Sequence, residues 1–410
     1  MKRANAITLL SISGIYFFSM FHRVAVPGTL FNEFQSSFKA SAAEVAVLGS
    51  IYLYIYGLMQ IFAGMISDRI GSSKTLLAGG GILAAGSLVF PFPGTIGFVY
   101  LARALIGLGA SLIYISMLKH VNTFFPREDF TFILGISMVI GYAGGLAGTY
   151  PLERAAAHAG WQVSFFTAGI LCLILVIFLA FRLRCILICR DCSFSLESLK
   201  GIIRNKAIYP VIFSGSIVFA VYFVIQATIG KKMLEDVAGL TPSAAALFTF
   251  SMMIIVMASI LFHGYMGKRT RKRKLFSVMS SGSVLTGVVL IILNLRFFTS
   301  LPLFFISYFL CAWAGGGNIL NPAIMKELNP NEAAGTAVGT YSTIMFLTVA
   351  AVGHLSGKVM DLFEGGAEVS PDAVIYPVEA YSVIFLFCLG LGVISLAFAL
   401  AIRENTPGTE

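Results

Sequence analysis

Apolar residues run through this chain in long segments, and short polar stretches separate one segment from the next. Most segments reach the length of about 20 residues that a helix needs to cross the hydrocarbon core of a membrane. With short connections, about twelve such helices fit into the 410 residues of the chain. The predicted helices are 5–30, 42–63, 75–94, 97–122, 131–152, 162–183, 207–230, 243–266, 275–296, 301–325, 335–358 and 379–402.

The composition supports this interpretation, because only 11% of the residues are charged and 58% are hydrophobic. A soluble domain carries about 25% charged residues. We therefore predict an all-α membrane protein with twelve transmembrane helices in two pseudo-symmetric six-helix halves. The halves are residues 1–183 and 207–410, and the polar segment 184–206 joins them along the cytoplasmic surface. Two similar halves indicate duplication, and proteins built in this way hold small ligands between the repeats.

The formal net charge of +9 comes from basic residues that concentrate in alternate loops, such as 268–274. The positive-inside rule requires this distribution, which argues against nucleic acid as a partner and places both termini in the cytoplasm. The N-terminal segment lacks a small-residue cleavage site, and no glycosylation acceptor occurs. We expect a multi-pass protein of a bacterial inner membrane that works as a monomer in the lipid bilayer.

The sequence contains no pattern typical of catalysis or of a cofactor site. Cys185, Cys189 and Cys192 cluster near one loop, but no histidine accompanies them and their spacing matches no zinc site. No phosphate-binding loop of the type Gly-x-x-x-x-Gly-Lys-Ser/Thr occurs either. We therefore expect no catalytic residue, no metal and no cofactor, and we expect a gradient of an ion or a substrate to supply the energy.

The most specific pattern is Gly64-Met-Ile-Ser-Asp-Arg-Ile-Gly71, which we predict to form a tight loop after the second helix. A partial copy follows the eighth helix, where Lys268 replaces the aspartate. This pattern resembles the Gly-x-x-x-Asp-Arg-x-Gly loop of the major facilitator superfamily, and the likeness extends over nearly the whole chain. The resemblance implies that superfamily's fold and a conformational latch in the outward-facing state. The latch residues would be Gly64, Asp68, Arg69 and Gly71.

Two further segments resemble the superfamily. Arg103, Gly107 and Gly109 fit its Arg-x-x-x-Gly-x-Gly pattern in the fourth helix, so Arg103 is a candidate for proton coupling or for joining helices. The fifth helix is rich in glycine, as in the superfamily's antiporters, but it lacks their proline. Close helix packing explains those glycines by itself.

The first helix contains Tyr16, His22 and Arg23 in an arrangement similar to organic-anion transporters of the superfamily. In that group an arginine binds the substrate's carboxylate or phosphate, and a guanidinium suits this role because it donates two parallel hydrogen bonds. The alternative is that Arg23 pairs with another helix or reaches the membrane surface. We find no Asp or Glu in the middle of a predicted helix. His22 is therefore a candidate for proton coupling, or else a structural residue.

Neutral polar residues in other helices complete the predicted binding site. Glycine and proline surround Asn318 and Asn321 and could interrupt the tenth helix. Broken helices in transporters expose backbone groups that bind substrates or ions. The remaining candidates are Tyr142, Tyr222, Gln226 and Tyr341.

These residues favour a proton-coupled secondary transporter of a small organic anion or zwitterion, such as a carboxylate or an amino acid, that alternates access between the two sides. The alternative is an exporter of amphiphilic compounds or drugs. A membrane receptor without transport activity has less support, because no soluble domain accompanies the helices.

Overall fold

The computed structural model describes residues 3–92, 94–125, 130–183, 196–270, 272–330, 333–370 and 373–403. Most of the predicted connecting segment, with Cys185, Cys189 and Cys192, lies outside these ranges. The predicted division of the chain into residues 1–183, 184–206 and 207–410 stays a prediction.

The N-terminal half consists of helices that pack side by side. A short helix follows the first one, and a bend separates the helix that ends at Ala147 from the helix that begins at Tyr150. Local signals define several ends. Ser41 caps α3 by accepting a hydrogen bond from the amide of Glu44, whose carboxylate accepts in return from the amide of Ser41. The described helices are α1 (Arg3–Ala25), α2 (Phe31–Phe38), α3 (Ala42–Ile70), α4 (Ser72–Val89), α5 (Ile96–Phe124), α6 (Phe130–Ala147), α7 (Tyr150–Ala159) and α8 (Trp161–Leu183).

The C-terminal half repeats this arrangement with more irregular helices. A small antiparallel hairpin precedes its last helix. Segments of π-helix occupy Ile225–Ile229 and Asn294–Phe298, and 3-10 segments occupy Lys206–Ile208, Asn318–Leu320 and Glu364–Gly366. The helices and strands are α9 (Leu196–Arg204), α10 (Tyr209–Val224), α11 (Gly230–Ala238), α12 (Pro242–Thr270), α13 (Arg273–Leu293), α14 (Leu301–Gly317), α15 (Asn321–Glu327), α16 (Ala334–Asp361), β1 (Glu368–Val369), β2 (Val374–Ile375) and α17 (Val378–Leu400).

The helical membrane class is confirmed, and the count of twelve spans is reached only in part. Within the described ranges, 10 helices are long and apolar enough to cross a membrane, and 11 if the pair α6 and α7, bent by 45°, counts as one span. The predicted third span corresponds to α4, which begins with polar residues and Lys74 and contains three successive glycines. The twelfth span therefore stays a prediction.

The structure corrects the predicted loop at residues 64–71. Helix α3 does not end near residue 63 but continues through Gly64 and Arg69 to Ile70. The break is confined to Gly71, whose φ of 91° favours glycine, and α4 starts at the next residue. The motif is thus the last turns of a helix followed by a sharp corner.

A second correction concerns the seventh span, which we predicted to end at residue 230. The π-helical segment leads without interruption into α11, and the whole run Lys206–Ala238 is apolar enough to span the membrane. This run carries Lys231, Lys232, Glu235 and Asp236 into the protein instead of leaving the two lysines in an outer loop.

The two halves meet closely at the end of the bundle that is opposite the first residue of α1. The amide of Gly28 donates to the carbonyl oxygen of Ala227 at 3.0 Å, so the two backbones touch. The carboxylate of Asp361 accepts from the hydroxyl of Ser41 at 2.8 Å and from the amide of Ala43 at 3.1 Å. We call this region, defined by Gly28, Ser41, Ala227 and Asp361, the closed end.

Buried charges reinforce the closed end. Lys231 forms an ion pair with Glu235 at 2.6 Å, and Lys232 pairs with Asp236, each over one helical turn of α11. Asn32 of α2 donates to the second carboxylate oxygen of Glu235 at 2.7 Å and so joins the N-terminal half to this cluster. Buried ion pairs need such additional hydrogen bonds because their desolvation is costly.

The hairpin covers the same charges from outside the membrane-spanning helices. Lys232 donates to the carbonyl oxygen of Val374, and Gln35 donates to the hydroxyl of Tyr376 at 2.8 Å. Burial raises the pKa of Tyr376 to about 12. This hydroxyl therefore keeps its proton at neutral pH, and the hydrogen bond from Gln35 does not titrate there.

Glycine allows α6 to approach α1 closely. A Cβ atom at Gly144 would overlap the carbonyl oxygen of Phe17, and one at Gly141 would overlap the ring of Tyr16. Packing at this distance supplies the dispersion contacts that hold helices together in lipid. The geometry gives a structural reason for the glycines of the fifth predicted span.

We expect Gly144→Ala to destabilise the folded protein by about 1–3 kcal/mol, because the added methyl group overpacks the contact with Phe17. The matched control is Gly135→Ala in the same helix, where a Cβ atom would meet nothing within 4 Å. Thermal unfolding of the purified proteins measures both effects. Equal melting temperatures for the two variants would contradict the packing role of Gly144.

Candidate substrate site

Arg23 lies in the last turn of α1 and only 8% of its surface is exposed. Its guanidinium carbon lies 4.3 Å from the ring centroid of Tyr56 in α3 and 5.1 Å from that of Phe346 in α16. Both separations allow cation–π attraction. Because Tyr56 and Phe346 belong to different halves, the guanidinium lies at the interface between the halves.

One edge of this guanidinium has no acceptor. The Nε and Nη2 atoms are buried and form no hydrogen bond within the described part of the chain. No carboxylate in the same ranges forms an ion pair with Arg23. The two N–H groups point in the same direction from one edge, which is the arrangement that grips both oxygens of a carboxylate.

Tyrosines surround the guanidinium and connect the two halves. Tyr142 of α6 lies near Arg23 and also near Tyr222 of α10. The structure therefore brings together three of the residues predicted from the sequence. We call the tyrosines around Arg23, which include Tyr142 and Tyr222, the tyrosine cluster. Its other members are Tyr16, Tyr52, Tyr56 and Tyr114.

Gln226 lies within the π-helical segment and is buried. Its side-chain nitrogen donates to the carbonyl oxygen of Thr249 at 3.0 Å, and its side-chain oxygen has no partner among the described residues. π-Helical turns occur frequently at functional sites because they displace a side chain from its regular position. Gln226 thus presents an acceptor, whereas Arg23 presents donors.

Asn318, Asn321 and Tyr341 form a separate cluster inside the C-terminal half. The amide nitrogen of Asn321 donates to Asn318 Oδ1 at 2.7 Å and to the hydroxyl of Tyr341 at 2.9 Å, and that hydroxyl also bonds to Asn318. Asn318 Nδ2 lies 2.9 Å from the sulfur of Met345. These side chains hold one another, and their described contacts do not include Arg23.

His22 and Arg103 lie together within the N-terminal half. His22 Nε2 lies 2.8 Å from the hydroxyl of Ser87, and the imidazole stacks on Phe165 at 5.5 Å. Arg103 is fully buried, and it donates to the carbonyl oxygens of Leu48 at 2.9 Å and His22 at 3.1 Å. These contacts join α5 to α1 and α3, as expected of a residue that joins helices.

Three of the four latch residues lie in the last turns of α3 and the fourth, Gly71, follows that helix, at the end that is far from the closed end. Lys119 of α5 donates to the carbonyl oxygen of Gly64 at 2.8 Å, and the side chain of Arg69 is exposed. The side chain of Asp68 lies outside the described part of the structure. The latch role stays a prediction.

The arrangement so far is two helical halves with a cationic site between them, and comparison with known proteins agrees with it. The sequence model of the Major Facilitator Superfamily matches residues 12–186 and 208–410. The chain belongs to the Major Facilitator Superfamily. It is therefore an integral multi-pass membrane transporter rather than an enzyme.

Two curated superfamily relatives differ in how much of the chain they match. The inner membrane transport protein YajR of Escherichia coli (strain K12) is 25% identical over 80% of this chain and 71% of its own length. The tetracenomycin C resistance and export protein of Streptomyces glaucescens is 31% identical over 32% of this chain and 24% of its own length.

Among solved structures, the superfamily fold is matched by a bacterial homolog of the human lysosomal transporter Spinster in an inward-facing and unoccupied conformation. The TM-score is 0.82 with 15% sequence identity, and the match covers 100% of both chains. At this identity the likeness concerns the fold alone.

Sequence reasoning missed two parts of this superfamily member's interior. The first is Tyr52 and Tyr56 of the tyrosine cluster, although their spacing of four residues places them on one face of α3. The second is the pair of acidic residues in α11, because we expected no Asp or Glu inside a span. The spacing of Lys231 to Glu235 and of Lys232 to Asp236 is the signal that could have revealed the ion pairs.

The two buried arginines of this superfamily member should respond differently to removal. We expect Arg103→Leu to destabilise the protein by about 2–5 kcal/mol, because two buried carbonyl oxygens lose their donor. Arg23→Leu should leave the melting temperature unchanged or raised, because it removes a buried charge that has no ion-pair partner in the described ranges. Thermal unfolding of both purified variants checks this contrast, and an equal loss of stability would refute it.

Proposed function

We propose that this protein is a secondary active transporter that carries a small organic anion or zwitterion by alternating access. The observation that carries the proposal is the free edge of Arg23. A buried cation inside a membrane protein is costly unless it faces a partner, a cavity or a substrate. An anionic group on the substrate would supply the acceptors that Nε and Nη2 lack.

The surroundings of Arg23 support a substrate with one carboxylate and a polar second group. The rings of Tyr56 and Phe346 lie against the guanidinium and give its Nε and Nη2 atoms no hydrogen-bond acceptor. Tyr142 and Tyr222 extend the polar surface into the C-terminal half, and Gln226 offers an acceptor that suits an ammonium group. A carboxylate or an amino acid fits this combination. The predicted role of Asn318, Asn321 and Tyr341 in the same site has less support, because they bond to one another.

The closed end supports alternating access. With both termini in the cytoplasm, which the distribution of basic residues predicts, the closed end faces outward and closes the path to that side. Opening would require Asp361 to release Ser41 and Ala43, and Gly28 to separate from Ala227. The halves would then rock about the site at Arg23.

We also propose that transport is coupled to protons through His22, but fewer contacts support this part than support anion binding at Arg23. His22 is held by Ser87 and Phe165 inside the N-terminal half, and its described contacts do not involve the edge of Arg23. Its Nδ1 atom has no partner among the described residues, which leaves one nitrogen for a proton.

The second candidate function is export of amphiphilic compounds. The similarity to the tetracenomycin export protein favours it, as do the aromatic rings and Met253 around Tyr222. This alternative predicts binding of amphiphilic cations or neutral polyaromatic compounds without dependence on Arg23.

Substrate binding should depend on Arg23. We expect the purified protein to be stabilised against heat by at least one small carboxylate from a panel of carboxylates, phosphates, amino acids and cationic drugs. Arg23→Gln should weaken that binding by about 100-fold, because a bidentate charged pair contributes about 3 kcal/mol. Arg23→Lys should restore binding only in part, since an ammonium group lacks the planar edge.

The control for this experiment is Arg296→Gln, which removes an exposed arginine in the π-helical segment that follows α13. It should bind the same carboxylate as the wild type does. Stabilisation by amphiphilic cations alone, or carboxylate binding that is unchanged in Arg23→Gln, would reject the anion proposal and favour the exporter.

The closed end should open when Asp361 is removed. We place a reporter cysteine at Ser50, a buried residue whose hydroxyl donates to the carbonyl oxygen of Ala350 across the interface. In intact cells an impermeant thiol reagent should label this cysteine about tenfold faster in Asp361→Ala than in the parent, because two charge-assisted hydrogen bonds are lost. Glu368→Gln, in the exposed hairpin, is the control and should not change the rate. An unchanged rate in Asp361→Ala would show that these bonds do not hold the closed end.

A further inference from the structure

A small polar cavity lies inside the C-terminal half. The volume of this cavity is ≈ 10 Å³. This is about the space that one water molecule or one small ion needs. Helices α10 and α13 and the junction of α14 with α15 surround it. The lining consists of Ser214, Gly215, Val218, Ser277, Ser280, Ser281, Gly317, Asn318 and Asn321.

Two glycines create this space. A Cβ atom at Gly215 would lie 2.5 Å from the hydroxyl of Tyr341 and would overlap the amide of Asn321. A Cβ atom at Gly317 would overlap the hydroxyl of Ser280. The chain therefore leaves room for polar side chains at a position where any larger residue would fill the cavity.

Two hydroxyl groups of the lining have no partner. The Oγ atoms of Ser277 and Ser280 are buried and form no hydrogen bond among the described residues, and the two residues are 9% and 5% exposed. Leaving a buried hydroxyl unpaired costs about 1–3 kcal/mol. Such groups indicate that something inside the cavity binds them.

The other donors around the cavity are already used. Both N–H groups of Asn321 are donated to Asn318 and Tyr341. The hydroxyl of Ser214 donates to the carbonyl oxygen of Val211, and that of Ser395 donates to the carbonyl oxygen of Ser214. Ser281 lies 2.9 Å from Ser395 and donates to it, because the proton of Ser395 is taken. The unpaired hydroxyls of Ser277 and Ser280 remain, and each can turn its proton away and direct oxygen lone pairs at a cation.

Of the two helix ends at the cavity, the end of α14 favours positive charge. Helix α14 ends at Gly317, which lines the cavity, and a 3-10 segment from Asn318 to Leu320 separates it from α15. The C-terminal end of a helix carries partial negative charge, and in transporters such ends coordinate Na⁺.

From these observations we propose that this cavity binds one monovalent cation of the size of Na⁺ through neutral oxygen atoms that include the hydroxyl oxygens of Ser277 and Ser280. The lining contains no carboxylate, so a divalent cation would lack the charged ligands it prefers. The binding itself does not depend on the function proposed above. A role of this cation as the coupling ion of transport rests on the proposed function, because only a transporter needs a coupling ion.

The experiment measures thermal unfolding of the purified full chain without substrate, at constant ionic strength, with Na⁺ replaced by K⁺ or choline. We expect Na⁺ to raise the melting temperature of the wild type saturably by about 3 °C. Li⁺ should act like Na⁺, and K⁺ should not. Ser280→Ala should abolish the shift.

The matched control is Ser283→Ala, one turn along α13 from Ser280, whose hydroxyl donates to the carbonyl oxygen of Leu310 and does not line the cavity. It should keep the Na⁺ shift. Ser277→Ala serves as a second test if Ser280→Ala does not fold. Equilibrium binding of radioactive Na⁺ gives an independent measurement, with an expected stoichiometry of one.

Absence of a Na⁺-specific shift in the wild type, or a shift that survives in Ser280→Ala and Ser277→Ala, would overturn the proposal and leave a buried water in the cavity. A failure of Arg23 to bind anions would leave this result untouched, because no substrate is present. The two proposals therefore stand or fall separately.

Discussion

A guanidinium group is costly to bury among membrane helices. Among the described residues of the N-terminal half, two arginines, Arg23 and Arg103, are buried. Arg103 meets the cost with carbonyl oxygens of α1 and α3. One of these belongs to His22, so Arg103 holds the backbone from which the next residue, Arg23, extends. The structural arginine thereby helps to hold the arginine at the interface in place, and it ties α5 to both α1 and α3.

The fold was predictable from the sequence because lipid leaves the backbone few choices. Long apolar segments must become helices, and their order along the chain follows directly from the sequence. The boundaries were less predictable where polar residues continue inside the protein. The helices that end at Ile70 and at Ala238 continue beyond their predicted boundaries, because Arg69 reaches the surface and the charges of α11 find partners in α2 and the hairpin.

The candidate site was predictable in its centre and less so in its surroundings. Arg23 stands out in the sequence as a charge inside an apolar helix, but its neighbours Tyr56 and Phe346 come from helices distant in the chain. Asn318, Asn321 and Tyr341 show the limit of sequence reasoning. Polar residues near a helix break suggested contact with the substrate, whereas the structure has them bond to one another beside a separate cavity. Only the packing of α10 against α14 and α16 decides between these outcomes.

The short distance along the chain between Arg23 and Gly28 has a mechanical consequence. Arg23 lies in the last turn of α1, and five residues later the backbone of Gly28 touches that of Ala227 with no side chain between them. A pull on the guanidinium of even a fraction of an ångström would act on this contact through little more than one turn of chain. The candidate site and the closed end are thus joined directly by a short piece of chain, without another helix between them.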